Sequence, residues 1–248
     1  MKIGIVSDIH GNKDSLDAVL GVLDEQGVDT IVCLGDMIGY FHQSLEVLEL
    51  VQQSDIIPIL GNHEAYLLGI LDCPADRWRA YNLEYIRDSI PSKTLHWLQE
   101  LPESFHMHFK EQNLAFFHGS PWSPLEEYIY PDSAQFNRFC GLGYDYVILG
   151  HTHYQMVKST GAVSIINPGS CGLPRDGDPR AGAAILNFDD DVSIELLKVD
   201  YAVDSFITSA KNNNANIDAL NKLMRIAINL YPEAPPAYMD STKSLFLG

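Results

Sequence analysis

The amino-acid sequence predicts an α/β fold, and three observations support this. Short apolar runs rich in β-branched or aromatic residues recur through the first 150 residues. Helical patterns separate the first three runs, and such an alternation is typical of parallel βαβ units. The chain has 248 residues, of which 46 % are hydrophobic and 20 % charged, so it is long enough and apolar enough to bury a real core.

Five apolar runs are the predicted strands of the first half, and each is ended by Gly, Ser or His. They cover residues 3–6, 30–34, 56–60, 114–117 and 146–149. Apolar residues at positions 16, 19, 20 and 23, and again at 45, 48 and 51, keep the three-and-four spacing of amphipathic helices. Residues 64–100 are also expected to be mostly helical.

The pattern changes after His153, where four short strands follow closely on one another and predict an antiparallel second sheet. They cover residues 155–158, 162–166, 183–188 and 192–199. A further helix is predicted over residues 217–230, with Asn216 as its cap. The asparagine-rich stretch 211–216 is interpreted as a connector. We therefore expect a domain over residues 1–210 and a C-terminal helical appendage over residues 211–248.

The charge of the chain limits its partners. It has 33 acidic and 16 basic residues, a formal net charge of −17, which disfavours binding to duplex nucleic acid or to an anionic membrane. No apolar run approaches the roughly 20 residues that cross a bilayer. The cysteines lie far apart without a Cys-x-x-Cys pair and are expected to be reduced thiols, which favours a cytoplasmic location. The sequence leaves the oligomeric state open.

Metal-ligand side chains follow every one of the five apolar runs. The motifs are Asp8-x-His10, Gly35-Asp36, Gly61-Asn62-His63-Glu64, His118-Gly119 and Gly150-His151-Thr152-His153. Because the carboxyl ends of strands in an open α/β sheet meet at one edge, we expect these side chains to lie close together. Five of the nine histidines belong to these motifs, a clustering that scattered core histidines would not produce.

Ligand counting favours two metal ions. Two carboxylates, one amide oxygen and four imidazoles are too many ligands for one ion and suit two ions that share a carboxylate. Asp36, which is alone in its motif, is the predicted bridge. The first ion would take Asp8, His10 and one of the paired histidines His151 and His153, and the second would take Asn62, His118 and the other.

The charge of such a centre predicts its reaction. Two divalent cations, two carboxylates and a bridging hydroxide leave the pocket about one unit positive, so it should attract a small anion. Two metals roughly 3.5 to 4 Å apart can clamp a phosphoryl group while a metal-bound hydroxide attacks in line with the leaving oxygen. Phosphate-ester hydrolysis is therefore the predicted reaction. His63 is left over from the ligand count and is predicted to donate a proton to the leaving oxygen.

Other residues near the motifs leave two interpretations open. His42 is either a substrate contact or a polar residue at a helix start. Arg175 either binds the substrate phosphate or forms a structural salt bridge, and the same choice applies to Arg180. Glu64 is interpreted as an acidic residue of a first helical turn rather than as a ligand. Stacking on a ring of the substrate and ordinary packing are both open for three aromatic residues, Trp122, Tyr128 and Tyr130.

As a set, the five motifs resemble those of calcineurin-like metallophosphoesterases, in the family's order and with its approximate spacings. The resemblance implies a four-layer α/β/β/α sandwich with mixed central sheets, and His63 as acid or phosphate donor. It also implies a partition of ligands, with Asp8, His10, Asp36 and His153 on one ion and Asp36, Asn62, His118 and His151 on the other. The expected cofactors are two divalent or mixed-valence metal ions, drawn from Mn²⁺, Fe²⁺/Fe³⁺, Zn²⁺ and Ni²⁺.

Other features of the sequence indicate which branch of that family the chain resembles. Its short length and the segment 167–170, followed by Pro174-Arg175, resemble the compact prokaryotic, phosphodiesterase-like branch. Asp36 is followed by Met37, whereas the protein-phosphatase branch has an arginine there that clamps phosphate. A protein serine/threonine phosphatase is therefore not expected. Phe41-His42 differs from the Gly-Pro expected in similar compact members, which alters the rim of the pocket.

The predicted function is a two-metal phosphoesterase that acts on small phosphate esters and favours phosphodiesters. The reason for this preference is that no arginine clamp is evident, so a diester monoanion is the easier substrate for the metals alone to hold. A nucleotide phosphomonoesterase or pyrophosphohydrolase is the first alternative. A catalytically silent scaffold of the same fold is the second, and the presence of all seven ligand positions argues against it.

Overall fold

A computed structural model describes residues 1–189, 192–213, 215–216, 219–221 and 245–246. Two mixed β-sheets stack face to face, and helices cover the outer face of the first sheet. The outer face of the second sheet is covered by the segment 119–145, which contains a 3-10 helix at Phe136–Phe139. The predicted α/β class with a pair of stacked mixed sheets is confirmed.

The strands fall into a six-stranded and a five-stranded sheet. In chain order they are β1 (Lys2–Val6), β2 (Thr30–Cys33), β3 (Ile57–Pro58), β4 (Ser104–Phe109), β5 (Gln112–Phe117), β6 (Tyr146–Leu149), β7 (Gln155–Ser159), β8 (Ser164–Pro168), β9 (Ala181–Phe188), β10 (Val192–Val199) and β11 (Leu245–Phe246). The first sheet has the order β11-β10-β9-β1-β2-β3, and the second has the order β4-β5-β6-β8-β7. β1, β2 and β3 run parallel to one another, as do β5, β6 and β8.

The helices agree with the periodicity of the sequence. They are α1 (Lys13–Glu25), α2 (Ser44–Gln53), α3 (Asn62–Leu68), α4 (Ala75–Ala80), α5 (Leu83–Ser89), α6 (Ser92–Gln99) and α7 (Val203–Asn212). The side chain of Asn12 caps α1 by accepting the backbone N–H of Ser15 at 3.1 Å. Between them, α3 to α6 confirm the helical prediction for residues 64–100. The sequence analysis did not predict α7, and its last residues lie in the stretch interpreted as a connector.

One hydrophobic core lies between the two sheets. Ile3 and Ile5 of β1 pack there against Leu114 and Phe116 of β5. Because successive side chains of a strand point to opposite faces, Val6 instead joins the core beneath the helices. Burial on both faces explains why these strands read as continuous apolar runs.

The prediction of an antiparallel second sheet after His153 is wrong. β7 and β8 pair antiparallel with each other but join β6 in the mixed second sheet. β9 and β10 extend the first sheet, where β9 pairs antiparallel with β1. Small residues explain this central position, because the alanines and glycine of β9 let helices and the second sheet approach both of its faces.

The C-terminal prediction is only partly visible. Most of the helix expected over residues 217–230 lies outside the described residues, although residues 219–221 are helical and Asn216 Oδ1 accepts the N–H of Ala219 at 2.7 Å. The division at residue 210 stays a prediction. Within the described ranges, no helix has the length and hydropathy to cross a bilayer.

Candidate metal centre

The five motifs lie at the carboxyl ends of parallel strands in both sheets. Asp8 follows β1 and Asp36 follows β2, while Asn62 begins α3 just beyond β3. His118 directly follows β5, and His151 follows β6. The sequence predicted convergence at strand ends, and the structure adds that two sheets, rather than one, supply the residues. The site lies where the two sheets meet.

The backbone turns sharply at the candidate ligands themselves. In the described part of the chain eight residues other than glycine have positive φ angles, and six of them lie at this site. They are Asp8, His10, Asp36, Tyr40, His151 and His153. This conformation is strained for residues with a Cβ, and a cluster of such residues marks a site that the surrounding fold must hold in place.

The glycines of the motifs serve mainly to allow close approach of chain segments. Of the glycines before Asp36, Asn62 and His151, only Gly35 has a positive φ, at 87°. A Cβ on Gly61 would lie 2.2 Å from the carboxylate of Asp36. Any side chain at Gly61 would therefore displace Asp36, which lies at the centre of the site.

Both aspartates are oriented by one oxygen and leave the other directed at histidines. Oδ2 of Asp8 accepts the backbone N–H of His151 at 3.0 Å and the Ser7 hydroxyl at 2.6 Å. Oδ1 of Asp36 accepts the backbone N–H of His63 at 2.9 Å. The free oxygens are therefore Asp8 Oδ1 and Asp36 Oδ2, and both are buried.

Asp36 Oδ2 lies between two groups of ligands. It is 3.7 Å from Nε2 of His10 and 3.5 Å from Nε2 of His118. On one side, Nε2 of His153 lies 3.1 Å from Nε2 of His10 and 3.3 Å from Asp8 Oδ1. The geometry therefore places Asp36 where a bridging carboxylate would have to be.

The second group surrounds His118. Its Nε2 atom lies 2.9 Å from Oδ1 of Asn62 and 3.0 Å from Nδ1 of His151. The seven predicted ligands thus lie in two adjoining groups that share Asp36, and this arrangement is compatible with two ions.

Backbone carbonyl groups orient the imidazoles. Nδ1 of His10 faces the carbonyl oxygen of Ile38 at 3.2 Å, and Nδ1 of His118 faces that of Leu34 at 2.8 Å. Nδ1 of His153 likewise faces the carbonyl oxygen of Leu173. An imidazole that donates its Nδ1–H in this way presents the Nε2 lone pair inward, as a metal ligand does.

The donor set fits cations. Asp8 Oδ1 is buried and has no hydrogen-bond partner among the described residues. Burial lowers the pKa of His10, His118 and His153, so these imidazoles are neutral and present lone pairs to one another. Neighbouring lone pairs and buried carboxylate oxygens repel without a cation between them. The residues therefore fit a pair of divalent metal ions.

His63 lies beside the two groups and forms a further cluster of potential metal-ligand atoms with His10 and Asp36. Its Nε2 atom is 3.8 Å from Asp36 Oδ2, and its ring lines the cavity. The ring of Tyr81 stacks on it with centroids 4.1 Å apart. Burial, and then the neighbouring histidines, lower the pKa of His63 well below its usual value.

Glu64 has a larger structural role than a first-turn acid. Its Oε2 atom accepts the backbone N–H groups of Asp36 and Gly61, both at 2.9 Å, and Oε1 accepts that of Ile38 at 3.1 Å. The carboxylate is fully buried. It therefore ties the loop after β2 to the start of α3. The spacing of Glu64 three residues after Gly61 is that of a capping box, which is the signal that indicates this role.

A cavity of about 330 Å³ opens above the candidate ligands. Arg175, one of the predicted substrate contacts, lines it, and so does Tyr128. The sequence analysis missed three other residues of its wall, Tyr40, Arg77 and Tyr81. Two of these, Arg77 and Tyr81, come from the helical region between β3 and β4, where no motif indicated a role.

His42, one of the two possible substrate contacts, does not line the cavity. Its Nε2 atom lies 3.0 Å from the Ser209 hydroxyl, and its ring lies 5.7 Å from that of Phe206. Both partners belong to α7, a helix that the sequence analysis did not predict. His42 instead matches the alternative interpretation, a polar residue just before α2.

Two other open choices are decided by contacts. Arg180 forms a salt bridge with Asp178 at 2.6 Å, which is the structural alternative. The ring of Trp122 packs against that of Phe139, and the Cζ atom of Arg138 lies 3.8 Å from the centroid of the Trp122 ring. These contacts are those of ordinary packing.

Two stacked mixed sheets with an Asp- and His-lined centre at their strand ends define the metallophosphoesterase class of hydrolases. A model of the calcineurin-like phosphoesterase superfamily domain matches residues 1–191. The chain belongs to this superfamily, and the predicted family and phosphate-ester hydrolase class are confirmed.

Individual relatives agree with this assignment. The chain is 31 % identical over 219 residues to the uncharacterized protein MJ0912 of Methanocaldococcus jannaschii, covering 81 % of this chain and 88 % of that protein. It is 29 % identical over 185 residues to the phosphodiesterase MJ0936 of the same organism, covering 73 % and 91 %. A crystal structure of a metallophosphoesterase from Sphaerobacter thermophilus is 28 % identical with a TM-score of 0.75, covering 91 % of this chain and 99 % of that one.

Proposed function

We propose that this protein is a two-metal phosphoesterase that hydrolyses phosphodiesters. The observation that carries the proposal is the position of Asp36 Oδ2, 3.7 Å from the nearest imidazole nitrogen of one ligand group and 3.5 Å from that of the other. One ion would be held by Asp8, His10, Asp36 and His153, and the other by Asp36, Asn62, His118 and His151. When bound, such ions supply positive charge to the phosphate and a nucleophile for attack in line with the leaving oxygen.

The protein's own residues would orient the substrate and transfer a proton to the leaving group. His63 lines the cavity beside Asp36 but belongs to neither proposed ligand set. A protonated imidazole, which the negative charge of a bound phosphate favours, can transfer a proton to the leaving oxygen as the bond to phosphorus breaks and then returns to the neutral form. The backbone N–H of His63 also orients Asp36, at 2.9 Å. His63 therefore combines a proposed catalytic proton with a structural contact to the shared carboxylate.

Arg175 is the proposed contact for the reacting phosphate. Its side chain is half-buried and lines the cavity. Burial raises the pKa of Asp8 and Asp36, and the charge of Arg175 acts against that shift in both. A guanidinium group at that position can donate two hydrogen bonds to phosphate oxygens.

Two observations favour different substrates. The name of the relative MJ0936, a phosphodiesterase, supports diesters. The presence of Arg175 and Arg77 in the cavity removes the argument that no arginine is available to hold a dianion. The nucleotide phosphomonoesterase or pyrophosphohydrolase therefore stays the second candidate.

Manganese and a cytoplasmic location are part of the same proposal. Ligands of mixed oxygen and imidazole type suit Mn²⁺ as well as iron, zinc or nickel. All four cysteines are free thiols, which supports a reducing compartment.

Turnover and metal content together test the proposal. After loading with Mn²⁺, the purified protein should contain two metal ions per chain and hydrolyse bis-p-nitrophenyl phosphate faster than p-nitrophenyl phosphate. Faster hydrolysis of p-nitrophenyl phosphate or of dinucleoside polyphosphates would favour the second candidate. Less than one bound ion per chain, without turnover, would favour the silent scaffold.

A further inference from the structure

The wall of the cavity carries positive charge in an acidic protein. The chain has a net charge of −17, yet Arg77 and Arg175 both line the one cavity above the candidate metal centre. They come from separate elements, Arg77 from α4 and Arg175 from the loop after β8. Folding therefore concentrates cationic side chains where an anionic substrate would enter.

The two arginines have different surroundings. Arg175 is half-buried in the cavity wall, whereas Arg77 is exposed. Arg77 therefore lies nearer to the mouth of the cavity than Arg175.

Three other arginines are already paired with carboxylates. Arg87, Arg138 and Arg180 lie 3.1, 2.6 and 2.6 Å from a carboxylate oxygen. Within the part of the chain that the structure describes, no carboxylate oxygen lies within 4.0 Å of Arg77 or Arg175. Arg77 contacts the hydroxyl group of Tyr66 instead. Neither guanidinium group is therefore neutralised by an acidic side chain, and phosphate matches the geometry of both.

Aromatic rings line the same cavity. The ring of Tyr81 is held against His63 with centroids 4.1 Å apart, and the ring of Tyr128 is held against His151 at 3.7 Å. Rings fixed in this way offer flat apolar surfaces to a sugar or base. The cavity therefore combines a candidate metal centre, aromatic surfaces and an outer guanidinium group.

We propose that Arg77 binds a second anionic group of the substrate, carried by the ester part beyond the reacting phosphate. The preferred substrates would then be phosphate esters with a further phosphate on the alcohol part. The inference rests on the proposed function, because it takes the candidate metal centre as the position of the reacting phosphate. It assigns Arg77 as a specificity residue.

Two thymidine substrates isolate this contact. Thymidine 5′-(p-nitrophenyl phosphate) and its 3′-phosphorylated form share the reacting diester and leaving group and differ only in the second phosphate. We would compare their kcat/KM values with the Mn²⁺-loaded protein and with Arg77→Gln. Arg79→Gln is the matched control, because Arg79 is exposed on the same helix but outside the cavity wall. Calorimetric titration with thymidine 5′-phosphate and thymidine 3′,5′-bisphosphate measures binding without turnover.

In the native protein and in Arg79→Gln, kcat/KM should be about tenfold higher for the 3′-phosphorylated substrate, mostly because KM is lower. Both proteins should bind thymidine 3′,5′-bisphosphate about tenfold more tightly than thymidine 5′-phosphate. Arg77→Gln should lose both preferences, because its kcat/KM should fall further for the 3′-phosphorylated substrate than for the simpler diester. Equal values for both compounds in the native protein, or an undiminished preference in Arg77→Gln, would overturn the proposal. An Arg77-dependent binding preference without hydrolysis of either compound would support this subsite and refute the proposed phosphodiesterase function.

Discussion

The ring of Tyr81 stacks on the ring of His63, with centroids 4.1 Å apart and planes inclined by 30°. The backbone N–H of Tyr40 donates to the carbonyl oxygen of Tyr81 at 2.9 Å, so this ring is tied to the loop after β2. The proposed proton donor His63 must keep one orientation. We therefore expect a positioning role for Tyr81, which neither its sequence neighbourhood nor any motif indicated.

Replacement of Tyr81 should slow the reaction without removing the metals. An aromatic pair contributes about 0.5 to 1.5 kcal/mol beyond simple burial, so Tyr81→Leu should lower kcat by up to about tenfold. Tyr81→Phe keeps the ring and should retain most of the activity. Equal rates for the Leu and Phe variants, measured at saturating substrate, would argue against positioning through the stack.

Asp36→Asn should lose both metals and activity together. The carboxylate oxygen directed at His10 and His118 becomes part of an amide, and metal affinity should fall by at least about 100-fold, since even residues outside the ligand set change it by 10- to 100-fold. Metal analysis and turnover check this. The circular dichroism spectrum serves as the control for folding. A variant that still binds two ions would contradict the proposal that Asp36 is the ligand shared by both.

His63→Ala should keep both metals and lose rate. Because His63 is proposed to protonate the leaving oxygen, turnover should fall by about 100-fold or more for alkyl esters and much less for p-nitrophenyl esters. A series of diesters with leaving groups of increasing pKa measures this dependence. Equal slowing across the series would indicate that His63 binds phosphate and transfers no proton.

Glu64→Gln should destabilise the site. Glu64 accepts the backbone N–H groups of Asp36, Gly61 and Ile38. The NH₂ group of glutamine cannot accept a hydrogen bond, so at least one hydrogen bond to a charged acceptor is lost. Such a bond contributes about 1.5 to 3 kcal/mol to the free energy of unfolding. Urea unfolding measures the change. Glu46→Gln, at an exposed position of α2, is the matched control and should be nearly neutral. A Glu64→Gln protein as stable as the control would contradict the tie between the two loops.

The sequence predicted most of the metal centre because its signals are local. Each candidate ligand stands directly after an apolar strand, and strand ends in parallel sheets are adjacent in space. The partition of strands between two sheets was not predictable in this way. β9 reads as one of a series of short strands after His153, yet its place beside β1 depends on contacts between residues about 180 positions apart.

The wall of the cavity was the part that the sequence least indicated. Arg77 and Tyr81 belong to short helices without a motif, and their approach to His63 depends on how those helices pack. His42 shows the reverse case. Its proximity in sequence to Asp36 suggested a substrate contact, whereas the packing of α7 against the loop directs it away. In loops that fold back on themselves, closeness in sequence to a site residue does not predict closeness to the site.

Asn216 connects the C-terminal segment to the cavity wall. Its backbone N–H donates to the carbonyl oxygen of Tyr40 at 2.9 Å, and its side-chain amide donates to that of Ala80 at 2.6 Å, next to Tyr81. Asn216→Ala removes the contact to Ala80 and also the contact to the N–H of Ala219. KM should therefore rise several-fold with little change in kcat, since one neutral hydrogen bond contributes about 1 kcal/mol. Asn213→Ala, which removes a contact to Ser209 only, is the control. Equal KM values for the two variants would mean that the C-terminal segment does not position the aromatic wall.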